Sequence, residues 1–326
     1  MKQLTLKFLT ASLVLAGSLS AWADCQSKDE IPEPARKAIA AAAQQAFDQT
    51  AGGDVNSLKA SAIPSLQSNF NGIAGAVTDN KDAFTGAKAQ LRNMYLIDTG
   101  STPDPDGVFY CGVYGGGGMN ANTAEFHLPG IPAGKYAITI QDFIGNKGPY
   151  VLSIIFQDAA GWKVAGYQIR PGSAAGHDGL WYLVQARDYK SKGQAHNAWF
   201  YYQNSLDLLE PATYLNTKMI GTITDESNSI LPKDVPVDGK PVTFTAGGKS
   251  YKITEMTFFR NEKNFDLTVK YSVPSTSDFN GTQTDARNLA NAMVAQYPEL
   301  KDGFNNIWVH AIDANGGDVV GLVKLK

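Results

Sequence analysis

The chain has 326 residues, of which 28 are lysine or arginine and 31 are aspartate or glutamate, giving a formal net charge of −3 at pH 7. Because charges of both signs are mixed along the chain, the composition argues against a nucleic-acid-binding protein and against adhesion to anionic lipid. A chain of this length in which 43% of residues are hydrophobic can form two domains with sizeable cores.

The amino-terminal end is typical of a secretory signal peptide. Two early lysines precede an apolar run at residues 8–17, and Ala21 and Ala23 fit the A-x-A cleavage pattern. The run is too short to span a bilayer permanently, and no later segment is apolar enough to do so. We therefore expect residues 1–23 to be removed, a mature chain that begins near Asp24, and a periplasmic or secreted protein.

The two cysteines, Cys25 and Cys111, both lie in the mature chain. In an oxidising compartment an even number of cysteines favours disulfide bonding, so we expect a Cys25–Cys111 bond, with two free thiols as the alternative. Lipid attachment at Cys25 is a second alternative, although Asp24 stands where a small residue is usual. Two cysteines and scattered histidines do not predict a structural zinc site.

Residues 24–171 carry helix signals first and strand signals afterwards. Residues 35–49 are rich in strong helix formers, and residues 55–70, with a break at Pro64, and 82–93 predict further helices. Short runs rich in β-branched and aromatic residues follow, separated by Gly, Pro and Asp turns, and they predict the strands of an antiparallel sheet in an α+β domain. These runs are 94–97, 108–113, 123–127, 135–142, 151–156 and 162–169.

The last two of these runs carry a family resemblance. Residues 151–170 read VLSIIFQDAAGWKVAGYQIR, and the segment Gly161-Trp162-Lys163-Val164 joins a turn to a final strand. With the preceding helices, residues 33–171 resemble the NTF2-like, cystatin-like family of cone-shaped α+β domains. The resemblance implies a concave sheet whose helices enclose a pocket. It implies no single function, because the family includes enzymes, binding domains and secreted domains with no known activity.

Residues 172–179 predict a linker, and residues 180–215 carry helical periodicity twice. The second segment is similar to one tetratricopeptide unit, with small residues where the helices touch and a glycine in the turn, although Gln185 and Ser205 depart from the pattern. Because a single unit cannot bury its own face, the likeness implies packing on neighbours or on a partner. The residues that carry it are Ala186, Tyr189, Gly193, Ala198, Tyr202 and Pro211.

The same segment holds the densest group of aromatic residues in the chain. Amphipathic aromatic side chains favour recognition surfaces because they bury a large area while keeping a polar tip. The alternative is that they pack the hairpin against the flanking domains. The candidate partner-binding residues are Trp181, Tyr182, Tyr189, Trp199 and Tyr202.

Residues 217–326 predict a second, small α+β domain that resembles no family known to us. Residues 286–297 keep apolar side chains at helical spacing, after the capping candidates Thr282 and Thr284. The sequence DANGGD at 313–318 is a strong hairpin signal. The predicted strands of this region are 242–245, 251–259, 265–273, 305–312 and 319–325.

The sequence Asp98-Thr99-Gly100 copies the active-site loop of aspartic proteases. That chemistry needs two carboxylates that share one proton, and the chain has no second D-T-G or D-S-G, so we interpret the segment as a turn that ends a strand. The four histidines, with no H-x-H or H-E-x-x-H pairing, fall in four separate predicted elements. They are His127, His177, His196 and His310.

Three loops could be taken for ligand sites. Oxygen ligands at 98, 104 and 106, or at 313, 315 and 318, lack the ordered calcium-loop pattern with its closing glutamate. The glycine run at 115–118 has no Lys-Ser/Thr pair and no helix after it, so it predicts a hairpin loop rather than a phosphate cradle. We therefore predict no catalytic residue, no metal ion and no cofactor.

Two functions stay open from the sequence. The first is an exported, non-enzymatic binding or assembly protein of the bacterial cell envelope, whose partner is another envelope protein; the oligomeric state is unknown. The second is small-molecule binding, or hydrolase- or isomerase-type chemistry, with Asp98 or Asp142 as a base in the pocket once burial raises its pKa. A cavity with convergent ionisable side chains would favour the second function, and an apolar or filled cone the first.

Overall fold

The computed structural model describes residues 24–100, 105–112, 123–260 and 263–326. The predicted signal peptide, the glycine run at 115–118 and Asp104 lie outside these residues. No described helix has both the length and the apolar composition needed to cross a membrane. Helices and mostly antiparallel sheets make up the described chain, so the predicted α+β class is confirmed.

The first part of the chain is helical after one short strand. Prolines occupy the first turn of two helices, where the missing N–H is not needed. The predicted helix at 82–93 is wrong beyond residue 84, because residues from Gln90 onward pair with a neighbouring strand and that pairing overrides local helix propensity. The elements are β1 (Asp24–Ser27), α1 (Glu33–Ala51), α2 (Val55–Ala60), α3 (Pro64–Gln67), α4 (Asn71–Asp79) and α5 (Lys81–Phe84).

Six strands follow, and they form parts of two sheets. Strands β1, β2, β5, β6 and β7 build a five-stranded antiparallel sheet in that order, which we call the first sheet, and β3 pairs with β4 in a small sheet. The strands are β2 (Gln90–Asp98), β3 (Val108–Cys111), β4 (Ala124–His127), β5 (Lys135–Gly145), β6 (Gly148–Asp158) and β7 (Trp162–Pro171).

Apolar side chains cover both faces of the first sheet. On the helix side, the ring centroids of Phe47, Phe84 and Phe143 lie 4.3–5.5 Å apart. On the other side, Ile138 and its neighbours pack against Phe126 and the rest of the small sheet. The space between the first sheet and its helices is therefore occupied by a packed core.

The predicted Cys25–Cys111 disulfide is confirmed. It joins β1 to β3 with a Cα–Cα distance of 5.0 Å and links positions 86 residues apart. Cys111 is fully buried. The bond therefore ties the edge of the first sheet to the small sheet that covers it.

Residues 172–179, predicted as a linker, form two short paired strands and lead into two helices. The Asp178 carboxylate accepts a hydrogen bond of 2.8 Å from the backbone N–H of Trp181 and so caps the first helix. Gly193 in the turn between the helices has a φ of 73°, which glycine adopts without strain. The elements are β8 (Ser173–Ala174), β9 (His177–Asp178), α6 (Gly179–Ser191) and α7 (Ala195–Leu209).

After α7 the chain returns to the small sheet. Strand β10 (Leu215–Thr217) pairs antiparallel with β4, which places Leu215 opposite Phe126. Leu215 and Ala212 are buried in the same core as Ile138 of the first sheet. This segment, which follows the helical hairpin in sequence, thus completes the core of the region before it.

A second sheet forms the carboxyl-terminal part, in the order β11-β12-β13-β14-β15, with β13 and β14 parallel and the other pairs antiparallel. The sequence did not predict its first helix. The capping prediction at Thr282 and Thr284 is wrong, because the Asp278 carboxylate accepts from the backbone N–H of Gly281 at 3.0 Å. The elements are α8 (Lys218–Asn228), β11 (Val242–Ala246), β12 (Lys249–Arg260), β13 (Phe265–Ser272), α9 (Phe279–Gln296), α10 (Leu300–Gly303), β14 (Asn306–Ile312) and β15 (Asp318–Lys324).

The helical hairpin α6–α7 shares one core with the second sheet. The ring of Phe265 on β13 lies 5.1–5.3 Å, between centroids, from the rings of Tyr182, Tyr201 and Phe304. These side chains belong to one continuous apolar cluster. The hairpin is therefore packed on its neighbour in the same chain, as a lone helix pair requires.

The hairpin predicted at 313–318 is confirmed by the pairing of β14 with β15. The Asp313 carboxylate accepts from Thr276 Oγ1 at 2.6 Å and from the backbone N–H groups of Asn315 and Gly317. These hydrogen bonds, with that from Thr276 the strongest, lower the pKa of Asp313 to about 2. The turn is thus held by an ionised carboxylate.

This turn is expected to make stability depend on pH. Because the folded pKa of Asp313 lies below that of the unfolded chain, its contribution is complete above about pH 5 and is lost as the pH falls towards 2. We expect Asp313→Ala to lower the melting temperature by a few degrees at pH 7 and to flatten its fall below pH 4. Thermal unfolding from pH 2 to 7 tests this, with exposed Asp158→Ala as control. Parallel curves for wild type and Asp313→Ala would contradict it.

Candidate functional site

Three of the five aromatic residues considered for partner binding are buried. Tyr182, Tyr189 and Tyr202 are 1%, 9% and 0% exposed. The hydroxyls of the first two donate to backbone carbonyls, and that of Tyr202 donates to the Glu226 carboxylate at 2.9 Å. Their rings pack the hairpin against the second sheet and α8, so we do not include these three residues in a proposed binding surface.

Trp181 and Trp199 are only partly buried. The Trp181 ring stacks on the His177 ring with centroids 3.7 Å apart, and the Trp199 ring meets Phe200 edge-on at 4.8 Å. A role of these two tryptophans in partner binding stays a prediction.

Asp98, one of the two carboxylates considered as a base, lies at the end of β2. One of its oxygens accepts from the backbone N–H of Gly100 at 3.0 Å, and the other lies 3.7 Å from the Lys135 ammonium. The D-T-G segment is therefore a turn at the end of a strand.

Asp142, the other carboxylate, lines a cleft of about 670 Å³ between the first sheet and the helical hairpin. We call it the seam cleft. One wall is formed by the end of β5 and the start of β6. The opposite wall is formed by the start of α6 and the end of α7. Polar side chains from the segment leading into β2 lie at one end. The residues used below are Lys88, Arg92, Asp142, Ile144, Tyr150 and Leu180.

The two walls are held together beside the cleft. Ser153 on β6 donates from its hydroxyl to the carbonyl of Pro211 at 2.8 Å and is fully buried. Arg170 on β7 contacts the carboxylate of Asp207 and lies 3.5 Å from that of Glu210. Polar contacts therefore set the position of α7 on the first sheet.

Asp207 contacts a second arginine, Arg260 of β12. Arg260 also donates to the amide oxygen of Asn204 at 2.6 Å. The side chains of Arg170 and Arg260 are only 15% and 19% exposed, and a carboxylate can accept from two guanidinium groups at once. We call this arrangement the Asp207 node, because it joins the first sheet, α7 and the second sheet.

Two aliphatic side chains of the seam cleft are exposed to solvent. Ile144 on β5 is 76% exposed, and Leu180 on α6 is 52% exposed. They lie on opposite walls of the same cleft, with the ring of Tyr150 also in the lining. Exposed aliphatic groups that line one concave site mark a binding site more often than scattered apolar residues do.

The polar end of the cleft carries an ion pair. An Arg92 nitrogen lies 3.4 Å from an Asp142 oxygen, and both side chains are about two-fifths exposed, at 41% and 39%. Burial raises the pKa of Asp142, and the nearby Arg92 guanidinium offsets part of this rise. Lys88 adds an exposed ammonium at the same end. The cleft thus combines apolar walls with a cationic end.

His196 lies in a different cluster. Its Nε2 is 3.0 Å from both oxygens of Asp234, its Nδ1 is 3.7 Å from Glu299, and its ring packs on Tyr297. These contacts connect α7 to the segment after α8 and to the end of α9. Among the described residues, no three His, Cys, Asp or Glu side chains come together in a way that could hold a metal ion.

Four residues of the seam cleft were not predicted as site residues from the sequence: Ile144, Leu180, Lys88 and Arg92. Ile144 had no local signal, because it follows Phe143 at the end of a strand that is buried on both faces of the sheet. Leu180 had no such signal, because exposed and buried apolar residues share the first turn of α6.

No protein-family model, curated protein or solved structure matches this chain. The resemblance of residues 33–171 to NTF2-like domains and that of residues 180–215 to a tetratricopeptide unit therefore stay predictions. The geometry of the seam cleft is the basis for a proposed function.

Proposed function

We propose that the protein is an exported, non-enzymatic binding or assembly protein of the bacterial cell envelope, and that its binding site is the seam cleft. The observation that carries this proposal is the exposure of Ile144 and Leu180 on opposite walls of one cleft. Burial of a fully exposed isoleucine or leucine contributes about 1.5–3 kcal/mol, so a ligand that covers both gains a substantial part of its affinity there.

Two features support the exported location. Residues 1–23 have the composition of a signal peptide. The Cys25–Cys111 disulfide is of a kind that persists in the periplasm or outside the cell, because cytosolic thiols are kept reduced.

Asp142 is the observation that favours a second candidate function, which is hydrolase- or isomerase-type chemistry on a small molecule. Its pKa is raised in the cleft, as a general base requires. Against this, Asp98 lies elsewhere, and the partner of Asp142 is Arg92, which stabilises the ionised form. An Asp142→Asn variant that keeps ligand binding fits the binding function, whereas loss of turnover of a bound molecule fits the second.

Leu180→Asp is expected to reduce capture of the envelope partner by at least tenfold, equivalent to about 1.4 kcal/mol, because it places a charge on an apolar wall. An aspartate in the first turn of α6 favours the helix dipole, so the fold should persist. Val184→Asp is the matched control, because Val184 is 61% exposed one turn further along α6 and does not line the cleft.

The measurement uses the tagged mature protein, crosslinked in an envelope extract, with captured proteins quantified by mass spectrometry. Circular dichroism and thermal unfolding confirm that each variant is folded. The proposal fails if wild type and Leu180→Asp capture the same proteins in equal amounts, or if Val184→Asp causes the same loss as Leu180→Asp.

A further inference from the structure

The seam cleft continues into a cavity on each side. It shares Arg92 and Leu209 with a cavity of about 360 Å³, and it shares Pro149, Tyr150 and Asp178 with one of about 680 Å³. We call the three together the seam groove. The two larger cavities each fall within the ~300–1,000 Å³ of small-ligand sites, but together they exceed it. A groove of this extent suits an elongated ligand.

The seam groove carries an excess of positive charge. Four cationic side chains line it against two acidic ones, in a chain whose net charge is −3. Low-dielectric walls focus such a local field, so the groove attracts a ligand of opposite sign. The cations are Lys88, Arg92, Lys147 and Arg260, and the acids are Asp142 and Asp178.

These charges differ in how far they are already engaged. Arg260 belongs to the Asp207 node, and Asp178 caps α6. Lys147 lies 3.8 Å from Asp82 in an exposed pair, which contributes little and exchanges readily for another anion. Arg92 lies 3.4 Å from Asp142, in a pair whose side chains are 41% and 39% exposed. Lys88, Arg92 and Lys147 are therefore the exposed cations that a ligand can reach.

We propose that the seam groove binds an extended polypeptide segment of the partner protein in which acidic side chains alternate with aliphatic ones. This proposal rests on the proposed function and names its ligand class. An extended segment of mixed composition can place acidic side chains near Lys88 and Arg92 and aliphatic side chains against Ile144 and Leu180. An acyl chain fits less well, because uncharged polar side chains such as Gln90, Asn93 and Ser173 also line the groove.

The test uses fluorescein-labelled peptides of about eight residues, each adding ~3.3 Å when extended, with the full mature protein. One peptide alternates Glu with Leu, and a second alternates Lys with Leu. Fluorescence anisotropy is expected to show at least about tenfold tighter binding of the Glu peptide, with the difference shrinking as salt rises from 0.02 to 0.5 M. Equal affinity for the two peptides overturns the proposal.

Charge reversal at the cationic end sharpens this test. The double variant Lys88→Glu, Arg92→Glu should lose affinity for the Glu peptide and gain affinity for the Lys peptide. The matched control is Lys59→Glu with Lys301→Glu, which changes the net charge equally at exposed sites outside the groove. If the Arg92 substitution prevents folding, exposed Lys88→Glu alone should still halve the preference or reduce it further. An effect as large in the control pair overturns the proposal.

Three further outcomes separate this proposal from the one on which it rests. Binding to phosphatidylglycerol vesicles without binding to the Glu peptide overturns the peptide assignment. If neither peptide binds while capture still depends on Leu180, the ligand class is wrong and the binding function stands. If capture does not depend on Leu180, the binding function itself fails.

Discussion

Replacement of both Cys25 and Cys111 by alanine is expected to lower the free energy of unfolding by about 4 kcal/mol, the largest stability effect that we anticipate. The bond links positions 86 residues apart, and without it the unfolded chain regains the entropy of that loop. Guanidinium chloride unfolding of the full mature chain, followed by fluorescence, measures the difference.

A reductant provides the control for this variant. Dithiothreitol should bring the unfolding curve of the wild type close to that of the Cys25→Ala, Cys111→Ala protein and should leave the variant unchanged. A decrease of less than about 1 kcal/mol in the free energy of unfolding of the double variant would contradict this expectation, because the two sheets would then keep their arrangement without the bond.

Asp207→Ala is expected to lower the free energy of unfolding by about 2–3 kcal/mol. It leaves the guanidinium groups of Arg170 and Arg260 facing each other with little exposure and no shared carboxylate. Breaking a fully buried ion pair costs about 3–5 kcal/mol, and the 38% exposure of Asp207 reduces this value. Urea unfolding at pH 7 measures the loss.

The matched control for the node is Asp158→Ala, an exposed aspartate whose removal should change stability by less than about 0.5 kcal/mol. A double-mutant cycle with Arg260→Met should show coupling, because the second substitution removes one of the two guanidinium charges that Asp207 contacts. Equal losses for Asp207→Ala and Asp158→Ala, or strict additivity in the cycle, would show that the node does not stabilise the fold.

The Asp207 node also bears on the proposed binding site. It lies where α7, the first sheet and the second sheet meet, next to the residues of α7 that line the seam cleft. A site at a seam keeps its shape only if the parts on its two sides keep their positions. The polar contacts of Asp207 and of the buried Ser153 supply that constraint, so the exposed apolar walls need no contact with each other to keep their positions.

Much of the secondary structure was predictable from local patterns. Runs rich in β-branched and aromatic residues located most strands of both sheets, and the glycine-rich turn at 313–318 located a hairpin. The segment at 82–93 was not predictable in this way, because residues 90–93 have helical composition but gain more from pairing with β5. The small strand β10 was also not predicted, because its pairing partner lies about ninety positions away in the sequence.

The candidate site was predictable only in part. Asp142 was considered as a pocket residue and does line the seam cleft, whereas Asp98 does not. The aromatic group of the hairpin was recognised, but Tyr182 and Tyr202 turned out to be core residues. Whether an apolar side chain is exposed depends on what packs beside it, and that information is not local in the sequence.

The sequence by itself determined the α+β class and the pairing of its only two cysteines, and it predicts export, because each depends on composition or on short-range pattern. The tertiary structure alone decided that the helical hairpin belongs to the core of the second sheet and that residues 212–215 complete the core of the first. It also decided that Ile144 and Leu180 line one cleft. Contacts between distant segments set burial, and burial separates a binding surface from a core.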